Sequence, residues 1–205
     1  ERADDAGPQL TVASVIGSER AFLTRRAGAA EPSTLDAALA WPRARHLHIA
    51  EYATLAEMPD LVARAKAAGL TVSLDPSWDD ALIGDPSLLE NCRGVDVFLP
   101  NLEEARAITG ERDPTAMLDV LKARFPCVGI KAGEGGGYAA SADRVLHHPA
   151  EAVPVVDTTG AGDAFNAGFV DGWLSGADLP AALAAAIRAG SRAVQVAGGA
   201  VRRKV

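Results

Sequence analysis

The sequence predicts an α/β fold in which a mainly parallel sheet is covered by helices. Three observations carry this. From residue 46 onward, short apolar runs alternate with helical patterns. Among the helical segments, one ends at Gly69, one begins near Asn101 and one opens on Pro114. The chemically equipped positions Asp75, Asn101, Gly133 and Gly160 to Asp163 all fall at the carboxyl ends of proposed strands.

The elements follow in order. Leu10–Ile16 and Ala21–Thr24 alternate as a hairpin around Gly17-Ser18-Glu19-Arg20. His46–Ala50 is a short strand, Thr54–Ala68 a helix ended by Gly69, Leu70–Leu74 a strand and Val95–Leu99 another. A helix begins near Asn101 and runs to about Thr109, Pro114 opens a second that reaches Phe125, and Cys127–Lys131 is again a strand. Gly133 to Gly137 then turn the chain into hairpin-spaced segments around Tyr138–Ala140 and Val145–His148. A strand of Val153, Val155 and Val156, with Pro154 at its head, leads into a helix whose Phe165, Phe169 and Trp173 share one face. The closing helix, Leu179 to Val196, is nearly all alanine with Leu183, Ile187 and Val194, which suits close packing on the sheet. No internal repeat and no long linker divides the chain.

Composition narrows the function. With 205 residues, 48% hydrophobic and 23% charged, the chain can bury one substantial core. A formal net charge of −7 argues against nucleic acid or an anionic membrane as partner, and Arg202-Arg203-Lys204 reads as a solvated tail. Cys92 and Cys127 are too few for a disulfide framework and read as small buried apolar residues, so a reducing cytoplasm is expected. No run approaches the roughly 18 apolar residues of a membrane span, and Glu-Arg-Ala-Asp-Asp does not open a signal peptide.

The most informative stretch is Asp157 to Val170. Gly160, Ala161 and Gly162 stand where a strand becomes a helix, so the backbone N–H groups of the first turn are expected to be unobstructed, unpaired and convergent on an anion, with Asp163 beside it. The plainer alternative is a helix capped by Thr158 or Thr159, with Asp163 complementing its dipole.

The whole run Asp-Thr-Thr-Gly-Ala-Gly-Asp-Ala-Phe-Asn-Ala-Gly-Phe-Val resembles the C-terminal signature of the ribokinase-like (PfkB) family of sugar and nucleoside kinases. Two upstream segments agree with it. Pro100-Asn101-Leu102-Glu103-Glu104-Ala105, followed by Thr109-Gly110, is similar to the family's Asn-x-x-Glu segment. Val128 to Gly136 is similar to its nucleotide-side strand and turn. The resemblance implies a three-layer α/β/α sandwich over residues 31–205 and, over residues 1–30, part of a small β lid. It also implies that the first third of a typical member is absent from this sequence.

The same resemblance implies an ATP-dependent phosphotransferase acting on a hydroxyl of a small carbohydrate. Phosphoryl transfer asks the protein mainly to align the reacting groups and neutralise charge. By resemblance Asp163 is the base that orients the acceptor hydroxyl, and Gly160, Ala161 and Gly162 form the anion hole. Asn101 and Glu104 sit on the Mg²⁺ side in an outer-shell role, or form a capping box; the two can coexist. Lys131 contacts ATP or makes a plain salt bridge. Gly133 and Gly136 let nucleotide approach the backbone, or form an ordinary turn. Asp157 and Thr159 hold a monovalent cation (K⁺), or Asp157 caps its loop. Gly198 and Gly199 flank adenine, or cap a helix. No Gly-Lys-Ser/Thr follows a Gly-rich loop, so the Walker arrangement is absent from the sequence.

One departure concerns the acceptor. After Leu74-Asp75-Pro76, where many sugar kinases continue with Asn and Arg, this chain has Ser77-Trp78-Asp79-Asp80. Other acceptors within the superfamily are a nucleoside or a vitamin precursor, and a truncated, non-catalytic ATP- or sugar-binding relative is the reading from a different class. His46, His48, His147 and His148 read as structural, as do Trp41 and Trp173, and Trp78 is the tryptophan placed nearest the ligands. The resemblance also implies a homodimer formed through the lid.

Overall fold

Alternating apolar residues fix which side of the sheet each helix covers. In the computed structural model, which describes residues 10–16, 19–25 and 31–198, Val97 and Leu99 face one helical layer while Phe98 between them faces the other. The main sheet has the order β3-β4-β5-β6-β7-β8, with β3 at His46–Ile49, β4 at Thr71–Leu74, β5 at Val97–Phe98, β6 at Cys127–Lys131, β7 at Gly137–Ser141 and β8 at Arg144–His148. β3 to β6 are parallel, and β7 and β8 continue antiparallel. A separate two-stranded sheet pairs β1, Leu10–Ile16, with β2, Glu19–Arg25, antiparallel with Val12 opposite Leu23. The turn at Gly17-Ser18 lies outside the described residues.

One face carries Ile49, Val72, Leu74, Phe98, Val128 and Ile130. It is covered by α2 (Tyr52–Glu57), α3 (Leu61–Ala67) and α6 (Pro114–Lys122), through Leu55, Leu61, Val62, Met117, Leu118 and Leu121. Phe98 and Phe125 stack there with centroids 4.3 Å apart. The other face, with Val97, Leu99, Cys127 and Ala139, is covered by α7 (Ala161–Leu174) and α8 (Leu179–Ala193) through Phe165, Phe169, Leu183, Ala186 and Ile187. This is the expected three-layer α/β/α arrangement.

The alanine-rich closing helix packs on β7, as expected, and also against α7 along a seam of small residues. A Cβ at Gly168 would lie 2.8 Å from the Ala185 carbonyl oxygen, and one at Gly172 would lie 3.0 Å from Ala182 Cα, so the two helices touch backbone to backbone.

Three expectations are corrected. The helix expected over Thr54–Ala68 is two, α2 and α3, because Pro59 denies helical geometry to Met58 (φ −129°, ψ 74°). The strand expected at Val153–Val156 is a loop. Pro154 lacks a donor, the N–H groups of Val156 and Asp157 both donate to the carbonyl of Val194, the residue that caps α8 (2.7 and 3.1 Å), and the Val155 and Val156 side chains are exposed. The closing helix ends at Ala193. Short helices α1, Leu35–Leu39, and α4, Leu88–Asn91, are additional, and α5 spans Leu102–Thr109.

Candidate active site

Parallel strands deliver their last residues to one end of the sheet. Asp75 follows β4, Asn101 follows β5 and Lys131 closes β6. Asp75 and Lys131 form an ion pair, Nζ to Oδ2 2.5 Å, with each side chain 12% exposed. Asn166 of α7, 2% exposed, completes a triad: its Nδ2 donates to Asp75 Oδ2 at 2.6 Å and its Oδ1 accepts from Lys131 at 3.4 Å. Asp75 Oδ1 takes the Ser77 N–H at 3.0 Å, in a turn that holds Ser77 at φ 54°. The salt-bridge alternative for Lys131 is therefore realised. The ammonium also lies under the start of α7, where a Cβ at Gly162 would be 3.9 Å from Nζ.

Gly160 begins α7 in the left-handed region, φ 76°, and no side chain caps the helix, so neither Thr158 nor Thr159 has the capping role. The expectation of three unpaired amides is corrected at Ala161, whose N–H closes a turn on the Thr158 carbonyl at 3.2 Å. Among the described residues, the Gly160 and Gly162 amides donate to no backbone carbonyl. Asp163 is exposed in the first turn.

Asn101 and Glu104 form a reciprocal capping box. Asn101 Oδ1 accepts from the Glu104 N–H at 2.9 Å, and Glu104 Oε2 accepts from the Asn101 N–H at 2.8 Å. Glu104 is 4% exposed, and burial pushes its carboxyl above the ordinary value against the opposing pull of the Lys131 charge. Asn101→Ala is expected to cost about 1 kcal/mol, a melting-point loss of roughly 2–4 °C, whereas Asn101→Asp retains the cap; thermal denaturation of the two variants checks this.

The other expected residues fall around this centre. Gly133 opens a short 3₁₀ turn, and Gly136, φ 86°, passes so close to β8 that a Cβ would collide with the His148 carbonyl. Asp157 ties its loop together, with Oδ1 accepting from the Thr159 N–H at 2.9 Å and Oδ2 from the Gly198 N–H at 3.0 Å. Gly198 is thereby brought to the loop that precedes α7, and Gly199 lies outside the described residues. Trp78 is exposed and donates to Asp80 at 2.7 Å. Burial pushes the Cys92 and Cys127 thiols up to about 12, so both are inert packing groups. Among the described residues no group of three or more His, Cys, Asp and Glu side chains could form a metal cage, and no helix is long and apolar enough to cross a membrane.

Two cavities border α7, one at its start and one along its side from Asp163 to Leu174. One, of about 790 Å³, is lined by Lys131, Gly133, Gly136, Thr158, Ala161 and Gly162, with Val155, Ile187 and Val194 as apolar wall. The other, of about 520 Å³, is lined by His48, Asp163, Asn166 and Asp171. The sequence placed Asp75 at a strand end without assigning it a role, gave Asn166 none and read His48 as structural. The signal for Asp75 was its place at a strand end; Asn166 stands three residues after Asp163, on the same side of its helix.

The chain matches the model of the pfkB family carbohydrate kinases over residues 2–203. It is similar to the fructokinase of Klebsiella pneumoniae, 39% identical over 127 residues that make up 58% of this chain and 41% of that protein. It is also similar to the 2-dehydro-3-deoxygluconokinase of Bacillus subtilis, 31% identical over 168 residues, 76% of this chain and 52% of that protein. The chain thus spans about half the length of these curated relatives. Among solved structures, one from E. coli provisionally described as Ribokinase II, in complex with ATP and Mg²⁺, superposes with a TM-score of 0.75 at 24% identity, covering 92% of this chain and 66% of that one. A family match running almost from end to end, on a sheet that gathers its polar strand ends at the start of α7, makes this chain a member of the pfkB family of carbohydrate kinases.

Proposed function

We propose that this chain carries the phosphoryl-transfer centre of an ATP-dependent sugar kinase, moving the γ-phosphoryl group to a hydroxyl of a small carbohydrate. The observation that carries the reading is the position of the first turn of α7 between the two cavities: Ala161 and Gly162 line the larger, Asp163 the smaller. In-line transfer needs this placement, with donor and acceptor on opposite sides of one anion-binding turn.

The larger cavity suits a nucleotide in size, with Val155, Ile187 and Val194 receiving the adenine near Gly198, and Gly133 and Gly136 letting the phosphates lie against backbone. The Gly160 and Gly162 amides then hold the transferring group, helped by the Lys131 ammonium beneath them. Asp163 orients the attacking hydroxyl and takes its proton. Mg²⁺ bound with ATP would neutralise phosphate charge. Glu104 has one oxygen committed to the cap, which fits a single contact through water beside Asn101 and not a protein cage. A monovalent cation at Asp157 and Thr159 would share a carboxylate that already accepts two amides. Val12 and Leu23, register partners with exposed side chains, give β1 and β2 an apolar surface for pairing with a second chain.

The test is ADP release by the full-length protein with ATP, Mg²⁺ and, in turn, D-fructose, D-ribose, 2-dehydro-3-deoxygluconate and adenosine. Acceptor-dependent ADP formation with a sugar is the expected result. A preference for adenosine would move the protein to the nucleoside kinases, and no acceptor-dependent release with any of them would reject the kinase reading.

A further inference from the structure

The edge of the sheet beside the smaller cavity carries an unusual run of polar side chains. Parallel register sets His46 opposite Thr71 and His48 opposite Ser73, all four on the side of the sheet that faces α7. They form one continuous line. His46 Nδ1 lies 2.8 Å from Thr71 Oγ1, His46 Nε2 lies 2.8 Å from Ser73 Oγ, and His48 Nδ1 lies 2.8 Å from the same Ser73 oxygen. Ser73 is fully buried.

Counting protons gives the line a direction. Ser73 has one hydroxyl proton, so it donates to one imidazole and accepts from the other, and two neutral rings must share one tautomer. Partial burial holds both histidines below their ordinary value. His46 has His48 acting in the same sense and Asp96 opposing; for His48, Asp75 and Asp163 oppose and Lys131 assists. At the far end the Thr71 hydroxyl has the Arg45 carbonyl within reach, at 3.2 Å. If Thr71 donates there, His46 Nδ1–H donates to Thr71, Ser73 donates to His46 Nε2 and His48 Nδ1–H donates to Ser73, and all four bonds form. Reversing the direction sends the Thr71 proton to His46 and forfeits the bond to Arg45. The fully bonded arrangement leaves His48 Nε2 as a bare lone pair, on a ring that lines the cavity with Asp163 and Asp171.

We propose that His48 is a specificity residue of this kinase, its proton-free Nε2 accepting a hydrogen bond from a substrate hydroxyl neighbouring the one that Asp163 engages. The inference rests on the kinase reading above and deepens it toward a substrate class. Two carboxylates and a lone pair form a wall of acceptors, and no cationic side chain lines this cavity among the described residues. Such a wall suits an uncharged molecule with neighbouring hydroxyl donors and disfavours an acceptor that carries a carboxylate or phosphate there.

The tautomers can be measured without any turnover. Long-range ¹H–¹⁵N correlation spectra of the ligand-free protein, above the histidine pKa range, are expected to show both His46 and His48 protonated at Nδ1. Protonation at Nε2 in either ring overturns the proposal. In kinetics with the best neutral sugar of the panel, His48→Asn keeps the group that meets Ser73 and loses the one facing the cavity, so the acceptor KM should rise about tenfold while the KM for ATP stays within about twofold. His48→Gln, which returns an amide oxygen near the Nε2 position, should recover most of the loss. Equal effects from Asn and Gln, or a matching rise in the KM for ATP, would mean a structural role and overturn the proposal. If no acceptor is turned over, the kinase reading fails by itself, and the His48 Nε2 resonance titrated with D-fructose and D-ribose still decides: movement with either supports the site, and no movement with both rejects it.

Discussion

Asp163→Asn is expected to lower kcat by about 10²–10⁴-fold while the KM for ATP and the folded state stay close to those of the parent protein. The substitution keeps the shape of the side chain, and the residue is exposed, so no packing is lost. What is lost is the charge that, in the proposed mechanism, orients and deprotonates the acceptor hydroxyl. Loss of the carboxylate from the first turn of α7 costs a further few tenths of a kcal/mol through the helix dipole, too little to unfold the chain. Steady-state kinetics with a melting curve on the same preparation separates the two effects. A variant within a few-fold of the parental kcat would remove Asp163 from the proposed mechanism.

The second large effect concerns stability. Lys131→Met should cost about 3–5 kcal/mol, because it strips the partner from Asp75, a buried residue whose side chain is 12% exposed, and leaves Asn166 as its remaining side-chain hydrogen-bond donor. For a chain of this size that is a fall in melting temperature of roughly 10 °C. Asp75→Asn in the Lys131→Met background removes the stranded charge and should return much of the loss. Denaturant titrations of the two single variants and the double variant measure the coupling, and additive losses would refute the claim that the pair acts as a unit.

These two residues also show where the sequence was legible. The turn at Gly160–Asp163 and the box at Asn101–Glu104 are local, their spacing dictates their geometry, and both stand where the sequence placed them. A mainly parallel sheet covered by helices was legible in the alternation of short apolar runs with helical patterns, while the faces taken by Val97, Phe98 and Leu99 are shown by the structure. Lys131 was the harder case. It closes a buried strand and needs an anion, but its partner is 56 positions away in sequence, and only the order of the parallel strands brings Asp75 beside it. The histidines failed similarly. Read singly, His46 and His48 are unremarkable; pairing β3 with β4 turns them into a line with Thr71 and Ser73. The valines at 153–156 misled because their composition suits a strand, whereas Pro154 and the Val156 and Asp157 amides bound to the Val194 carbonyl after α8 hold them out of the sheet.

The seam between α7 and α8 bears on how the site can work over a catalytic cycle. Where Gly168 and Gly172 meet the backbone of Ala182 and Ala185 there is no clearance for a methyl group, so α7 has no room to rock toward its neighbour. Gly190 of α8 likewise runs close under the first turn, where a Cβ would be 3.3 Å from the Ala161 carbonyl oxygen. The proposed anion-binding turn is in effect an anvil: substrates must be brought to it, and the travel needed to enclose them falls to segments without such contacts, such as 76–87, where a Cβ at Gly84 would meet nothing within 4 Å.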